Sequence, residues 1–207
     1  MKFRTSAIAF ALTALTAPLA MIATPAGAEA ATEVEAGEAA AFIESLSGQA
    51  FDVIRGGDPD DPATRKRLRT LLAEAFDVNY VGQFLVRRHW RELEPKQKSA
   101  YMAIFPEWVV ATYTNNLFTF ADSNVQILRA IPRGTRGDVQ VFTRITPGSG
   151  TPFPAVWDVR KKDGEFKIRN LTVSGVNMAL TQSEDFNAYI NRNGFDELVA
   201  LMKKRVA

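Results

Sequence analysis

The chain has 207 residues, of which 46% are aliphatic or aromatic and 23% are charged, and its formal net charge is +2 at pH 7. These proportions are ordinary for a globular protein and argue against both intrinsic disorder and a polytopic membrane protein. The lack of cysteine excludes disulfides, thiolate zinc sites and cysteine nucleophiles, and the single histidine excludes histidine-rich metal sites.

The first 28 residues have the pattern of a secretory signal peptide. Lys2 and Arg4 precede a long stretch without charged residues, which ends in the small residues Ala26-Gly27-Ala28. We therefore predict that residues 1–28 are a cleaved signal peptide and that residues 29–207 form one exported domain. A membrane anchor is the alternative, and two prolines within the segment argue against it.

Cleavage also changes the charge of the working protein. Removing Lys2 and Arg4 leaves 23 basic and 23 acidic side chains, so the mature chain is formally neutral. Proteins that bind nucleic acids depend on a strong positive field. We therefore predict no nucleic-acid partner.

Helical periodicity dominates the chain up to about residue 120. The apolar spacing predicts four helices, over residues 42–54, 68–76, 81–85 and 95–120. Asp77 is a plausible N-cap for the third helix. The Ala/Glu-rich residues 29–40 are interpreted as a loose leader. Pro106 lies inside the last predicted helix and predicts a kink or break near residues 102–106, because proline cannot donate a backbone hydrogen bond.

From about residue 124 the apolar period changes to two. The alternation predicts four antiparallel strands, over residues 125–128, 139–145, 153–159 and 166–173. Asp163-Gly164 predicts a tight turn between the last two strands. Thr181 and Glu184 have the spacing of a capping box, which predicts a helix that ends at Gly194, and a last short helix follows. Helices segregated from an antiparallel meander predict the α+β fold class, in a single domain.

The chain lacks the common catalytic motifs. No phosphate-binding glycine loop, nucleophile elbow or zinc-protease motif occurs in the sequence. His89 lies among Arg87, Arg88 and Arg91, and it is interpreted as a surface or half-buried ring rather than a catalytic base. We therefore predict a protein that is not an enzyme and that uses no cofactor and no metal.

The aromatic residues concentrate on the long helix pattern and on the strands that follow. At helical spacing such residues usually form a filled core, because protein interiors are close-packed. Periodicity does not distinguish a filled core from the wall of a cavity. The residues alone therefore establish an exported α+β domain with a large apolar interior. A small periplasmic enzyme and a partner-binding module with a filled interior both remain alternatives.

Several short motifs resemble the MlaC family, the periplasmic phospholipid-binding or toluene-tolerance proteins of Gram-negative bacteria. The first half carries Phe76-Asp77, Arg88-His89-Trp90-Arg91, Pro95-x-Gln97, Phe105 and Tyr113. The second half carries Val139–Ile145, Trp157, Asp163–Ile168, Val173–Met178, Phe186 and Gly194. The resemblance runs from about residue 38 to residue 204. The chain departs from the family at Val86-Arg87, where Leu-Gly is common, and at Asn177 and Ser183, where Ser and Arg are common.

The resemblance implies a fold whose helices and four-stranded sheet enclose an apolar cavity. It implies a periplasmic carrier that buries the acyl chains of a phospholipid. The expected partners are an outer-membrane lipoprotein complex and an inner-membrane ABC transporter, in a system that maintains outer-membrane lipid asymmetry. A hopanoid is an alternative ligand, because a related branch of the family occurs beside hopanoid-synthesis genes.

The inward faces of the predicted elements, together with the resemblance, give a candidate lipid-binding wall. Its residues are Phe76, Phe84, Phe105, Val109, Tyr113, Leu117, Phe142, Trp157, Val176 and Met178. Basic residues at the ends of elements are candidates for transient docking on the partner complexes. These are Arg87, Arg88, Arg91, Lys161 and Lys162.

Overall fold

The structure is a computed structural model, and it describes residues 31–206. Its elements are α1 (Glu33–Arg55), α2 (Pro62–Ala75), α3 (Val78–Leu85), α4 (Pro95–Phe118), β1 (Asn124–Arg133), β2 (Asp138–Thr146), β3 (Phe153–Lys162), β4 (Glu165–Val173), β5 (Val176–Asn177), α5 (Met178–Asn193) and α6 (Phe195–Val206). Helices packed on an antiparallel sheet confirm the predicted α+β class. The predicted signal peptide, residues 1–28, lies outside the described residues.

The sheet is an antiparallel meander whose spatial order follows the chain, β1-β2-β3-β4-β5. It has five strands rather than the predicted four, because the two-residue strand β5 folds back onto the end of β4, with Val173 paired to Val176. Asp163 and Gly164 have φ angles of 53° and 86°, which confirms the predicted tight turn between β3 and β4.

The two faces of the sheet have different surroundings. Val139 and Val141 of β2 pair with Val159 and Trp157 of β3 on one face. This face, here called the covered face, forms a core with Ile43 and neighbouring residues of α1. The alternate residues point to the opposite face, here called the open face.

The helices form a second, separate core. Tyr101, Phe105 and Trp108 of α4 pack with Phe186 of α5 and Leu198 of α6. Tyr101 is fully buried, and its hydroxyl donates a hydrogen bond to the Gly82 carbonyl of α3 at 2.9 Å. The helical core and the core on the covered face share no residue. A third, small core joins α1 to α2 around Val53 and Leu68.

Two predicted features of the helices are wrong. Residues 33–40 are the first turns of α1 rather than a loose leader, because Ala36 and Ala39 are buried in the core of the covered face. Thr32 caps this helix in a capping box with Glu35. The prediction at Pro106 was a kink or a break. The break does not occur, since α4 continues through Pro106 between the buried residues Phe105 and Trp108.

The start of α5 also differs from the prediction. The helix begins at Met178, three residues before Thr181. Asn177 is its N-cap, and the Asn177 side chain accepts a hydrogen bond from the Leu180 N–H at 2.9 Å. The cap is therefore supplied by the residue that ends β5, so strand and helix join without a loop. Gly194 ends α5 with a φ of 88°, as predicted.

Candidate functional site

The junction between α2 and α3 is attached to the edge of the sheet by Asp77. The Asp77 N–H donates to the Ile168 carbonyl of β4 at 2.9 Å. Its side chain caps α3 by accepting from the Tyr80 N–H at 3.3 Å. The same buried carboxylate accepts from Arg169 at 3.1 Å and lies 3.5 Å from the Lys162 ammonium. Asp77 thereby fixes the position of α3, which carries Phe84.

The charge state of Asp77 follows from these contacts. Burial acts to raise the pKa of the carboxyl group. The hydrogen bond from the Tyr80 N–H and the positive charges of Arg169 and Lys162 outweigh it, so the pKa of Asp77 lies below its ordinary value of 3.8. The carboxylate is therefore ionised at neutral pH and remains paired with both cations.

Helices α4 and α5 are joined by one hydrogen bond between side chains. The Tyr113 hydroxyl donates to Gln182 Oε1 at 3.0 Å. Burial, and then the nearby Asp185 carboxylate, raise the pKa of Tyr113 above its ordinary value, so the hydroxyl stays protonated and available as a donor. No motif in the sequence singles out Gln182, and its role follows only from the packing of α4 beside α5.

Three exposed apolar side chains lie on or next to the helices that carry Tyr113 and Gln182. Leu117 lies one turn after Tyr113 along α4 and is 41% exposed. Val176, in β5, and Leu180, in the first turn of α5, are 50% and 39% exposed. The set of Leu117, Val176 and Leu180 is here called the apolar rim.

Trp157 is an aromatic residue of the covered face. Its indole Nε1 donates to Thr143 Oγ1 at 3.1 Å, and the Thr143 hydroxyl donates to the Ala155 carbonyl at 3.2 Å. Thr143 is buried, and no motif in the sequence marks it as part of the site. The two hydrogen bonds fix the orientation of a half-buried indole at the boundary of the sheet core.

The structure distributes the ten predicted wall residues among four places. Phe105 is buried in the helical core, and Phe84, Val109 and Tyr113 are half-buried against it. Phe76 and Trp157 are half-buried against the core of the covered face. Leu117 and Val176 lie on the apolar rim, with Met178 half-buried beside it in the first turn of α5.

Phe142 is separated by the sheet from the wall residues of the covered face, Phe76 and Trp157. It alternates with Val141 along β2 and therefore points to the open face, where the Arg129 guanidinium lies 4.4 Å from the centre of its ring. Trp157 pairs with Val141 and points to the covered face. The structure therefore does not bring Phe142 and Trp157 together.

Two grooves on the surface are lined largely by polar residues. One, of about 230 Å³, lies around Asp77, Lys162 and Lys167. The other, of about 330 Å³, crosses the open face between Tyr80 of α3 and Arg133 of β1. Two acyl chains need an apolar cavity near the top of the usual range of roughly 300–1,000 Å³. Neither groove meets that requirement.

The basic residues predicted to dock on partners divide into two groups. Arg87, Arg88 and Arg91 are exposed in the turns between α3 and α4. Lys161 instead pairs with Glu38 at 3.1 Å, and Lys162 lies 3.5 Å from Asp77. These two lysines attach the sheet to α1 and to the α2–α3 junction, so they are not free cations.

Residues 31–206 lack the features of a membrane-spanning helix and of a metal site. No helix in this part of the chain combines the length and hydropathy of a membrane-spanning helix. Across the same residues, His, Asp and Glu side chains form no group of three that could hold a metal ion. His89 is half-buried, as interpreted from the sequence.

Comparison with protein families identifies the chain. The family model described as "MlaC protein" matches residues 44–204, which is well over half of the sequence. The chain belongs to the MlaC family. Each of the two MlaC family motifs that flank α3, Phe76-Asp77 and Arg88–Arg91, is weak alone, and the match to the family model includes both.

Two characterised relatives are similar in sequence. One is the "Intermembrane phospholipid transport system binding protein MlaC" of Haemophilus influenzae, 21% identical over 143 residues, which are 68% of this chain and 67% of that protein. The other is the "Toluene tolerance protein ttg2D" of Pseudomonas putida, 23% identical over 131 residues. That match covers 62% of this chain and 60% of the relative's length.

The fold is similar to that of a solved structure. A phospholipid-binding protein from Ralstonia solanacearum, solved in complex with a phospholipid, superposes with a TM-score of 0.68 at 21% sequence identity. The likeness covers 81% of this chain and 96% of the other. At this identity the likeness supports the arrangement of helices and sheet.

Proposed function

We propose that this protein is a periplasmic lipid carrier that holds the acyl chains of a phospholipid between its helices and its sheet. One observation carries the proposal. The two larger of the three apolar cores share no residue, and aromatic side chains packed against them, such as Tyr113 and Trp157, remain half-buried. Two separately packed bodies can move apart and admit a ligand while each keeps its own core.

A carrier of this kind lowers the free-energy cost of moving a phospholipid through water. Exposing acyl chains to water costs about 0.8 kcal/mol for each CH₂ group, so two chains cost on the order of 20 kcal/mol or more. Free phospholipid therefore crosses an aqueous compartment very slowly. A protein that buries the chains removes this barrier and needs no catalytic group and no cofactor.

The apolar rim is the proposed entrance. Exposed apolar side chains are costly to leave in water and commonly mark binding surfaces when they cluster. Leu117 lies on α4, four residues after Tyr113, and Val176 lies on β5, six residues before Gln182. Tyr113 and Gln182 are joined by a hydrogen bond. Loosening that single hydrogen bond would widen the opening between α4 and the start of α5.

The proposed lining follows the covered face and the helices. It comprises Phe76, Phe84, Phe105, Val109, Tyr113, Leu117, Trp157, Val176 and Met178. Phe142 is not included, because the sheet separates it from the covered face.

The proposed partners are an inner-membrane ABC transporter complex and an outer-membrane lipoprotein complex. The printed name of the Haemophilus influenzae relative, which describes an intermembrane phospholipid transport system, supports this proposal. Arg87, Arg88 and Arg91 are the proposed contacts, since they are exposed. A carrier must leave each complex after transfer, which favours a modest interface near or below ~1,200 Å².

Uptake of labelled lipid tests the proposed function. The purified mature protein is incubated with vesicles that contain a phospholipid labelled on one acyl chain, and the protein is then separated from the vesicles by gel filtration. We expect the label to elute with the protein and to be displaced by unlabelled phospholipid. Displacement by a hopanoid but not by phospholipid would assign the alternative ligand, and no label on the protein would contradict a carrier function.

A further inference from the structure

The positive charge of the sheet is concentrated in the hairpin formed by β1 and β2. Residues 124–146 contain four arginines and one aspartate, a formal charge of +3. The arginines are Arg129, Arg133, Arg136 and Arg144, and all four are exposed. The chain without residues 1–28 has equal numbers of acidic and basic side chains, so this hairpin is a local excess of positive charge.

These arginines differ from the other cations of the sheet. Arg160 pairs with Asp138, Lys161 with Glu38, and Lys167 with Glu165. Arg169 and Lys162 share Asp77. The four hairpin arginines form no ion pair with any carboxylate in residues 31–206. The positive charges of the sheet that have no carboxylate partner in residues 31–206 therefore lie in this hairpin.

Three of the arginines point in the same direction. Arg129 is the cross-strand partner of Phe142 and stacks on its ring, so both lie on the open face. Arg133 follows four residues later on β1, and Arg144 two residues after Phe142 on β2, which places them on that same face. Arg136 lies in the turn between the two strands.

Protection of a sheet edge explains only part of this pattern. Edge strands often carry charges that prevent pairing with other chains, and β1 is an edge strand. Arg144 lies on β2, which is paired on both sides, and needs a different explanation. An apolar side chain accompanies the arginines, since Leu128 lies in a bulge of β1 beside Arg129 and is 48% exposed.

We propose that the β1–β2 hairpin docks directly on the anionic headgroup surface of a lipid bilayer. The arginine guanidinium presents a planar fork of N–H donors that matches phosphate oxygens. Basic side chains near an anionic bilayer are attracted to its surface potential. An exposed leucine beside such arginines can enter the boundary between headgroups and acyl chains, as the apolar side chains of interfacial proteins do.

This inference concerns the outer surface of the protein and does not depend on a lipid in its interior. Arg129, Arg136 and Arg144 line neither of the two surface grooves, and Phe142, on which Arg129 packs, is outside the proposed acyl-chain lining. Surface docking and lipid load can therefore be measured separately in the same preparation.

The experiment is co-sedimentation of the mature protein with vesicles at low salt. One set of vesicles contains phosphatidylglycerol and phosphatidylcholine in equal parts, and the other contains phosphatidylcholine alone. The hairpin variant carries Arg136→Glu and Arg144→Glu. It spares Arg129, which packs on Phe142, and Arg133, which lines the same groove as Phe84. The control variant carries Lys66→Glu and Arg67→Glu, at exposed helical positions with the same change of net charge.

We expect the unaltered protein and the control variant to sediment with the anionic vesicles and not with phosphatidylcholine. The hairpin variant should bind at least about tenfold more weakly, and added salt should release the bound protein. Circular dichroism and native mass spectrometry verify that the hairpin variant is folded and keeps any lipid load. Three results would overturn the inference: no binding to anionic vesicles, equal binding to both vesicle types, or equal losses in the two variants. Binding of the hairpin to a purified acidic protein but not to vesicles would also overturn it and would assign a protein partner.

Discussion

The Asp77 carboxylate accepts a hydrogen bond from the Arg169 guanidinium at 3.1 Å, which ties the first residue before α3 to the fourth strand of the sheet. Asp77 is buried, and only 17% of the Arg169 side chain is exposed. The Arg169 guanidinium also lies 4.4 Å from the centre of the Tyr80 ring of α3. Charge, hydrogen bonding and stacking therefore hold α3 against β4 at one point.

Asp77→Asn should lower stability by about 2 kcal/mol near neutral pH, because it leaves a poorly exposed arginine without its carboxylate. Asparagine is itself a good N-cap, so the start of α3 keeps its cap and the loss reports on the charge. Urea unfolding of the purified protein measures the change. A loss no larger than that of Asp61→Asn, which alters the exposed cap of α2, would contradict this role.

The pH dependence of stability provides an independent test of the same contact. The pKa of Asp77 in the folded protein lies below its ordinary value of 3.8. Its stabilising contribution is therefore complete above that value and is lost as the pH falls through the lower, folded-state pKa. The free energy of unfolding of the unaltered protein should fall below about pH 4, and that of Asp77→Asn should fall less steeply. Parallel curves for the two proteins would contradict this assignment.

The sequence predicted the local part of this contact and not the distant part. Asp77 is recognisable as an N-cap from its position before an apolar helical pattern. Its partners Lys162 and Arg169 lie 85 and 92 residues later in the chain. Which β4 residue faces Asp77 depends on the bulge between Asp158 and Val159, and alternation of apolar residues does not reveal a bulge.

Val176→Trp should block lipid uptake while leaving the fold intact. Val176 is 50% exposed on the apolar rim, so a larger side chain fits without displacing a core residue. Val34→Trp is the matched control, since Val34 is 72% exposed near the start of α1 and outside the rim. Uptake of labelled phospholipid, measured beside thermal unfolding, separates the two variants. Normal uptake by a folded Val176→Trp would remove this residue from the entrance.

Tyr113→Phe should speed lipid exchange. It deletes the hydroxyl that donates to Gln182 between α4 and α5, at a cost of about 1 kcal/mol. Tyr101→Phe removes a comparable hydrogen bond inside the helical core and should lower stability by about 1–2 kcal/mol without speeding exchange. Release of labelled lipid to acceptor vesicles, followed in time, distinguishes the two. Equal rates for both variants would show that the Tyr113 contact does not control the entrance.

Reversal of Arg87, Arg88 and Arg91 to Glu should slow delivery of lipid to membranes that contain the partner complexes. Charged residues at the edge of an interface mainly set the association rate. Salt screens their effect, with a Debye length of roughly 8–10 Å. The bound lipid should remain in place, because these side chains are exposed in the turns after α3. Delivery and lipid load are measured in one preparation at low and high salt. Unchanged delivery with unchanged salt dependence would remove these arginines from the docking surface, whereas loss of lipid would place them beside the headgroup.

The wall residues show what apolar periodicity predicts and what it does not. The helical spacing correctly grouped Phe105, Val109 and Tyr113 on one side of α4. It could not show that Phe142 and Trp157 lie on opposite sheet faces, because both belong to alternating patterns and only the pairing of Val141 with Trp157 fixes the register. The division of the interior into separate cores is equally invisible in the sequence, since apolar periodicity does not show which apolar faces meet.

Native mass spectrometry of the mature protein, purified without added lipid or detergent, shows whether the protein carries a phospholipid. We expect a main species heavier than the bare chain by the mass of a diacyl phospholipid, and release of that mass on collisional activation. We also expect loss of this species in Val176→Trp and its retention in Val34→Trp. A protein that carries no adduct, and takes none up from phospholipid vesicles, would contradict the carrier function.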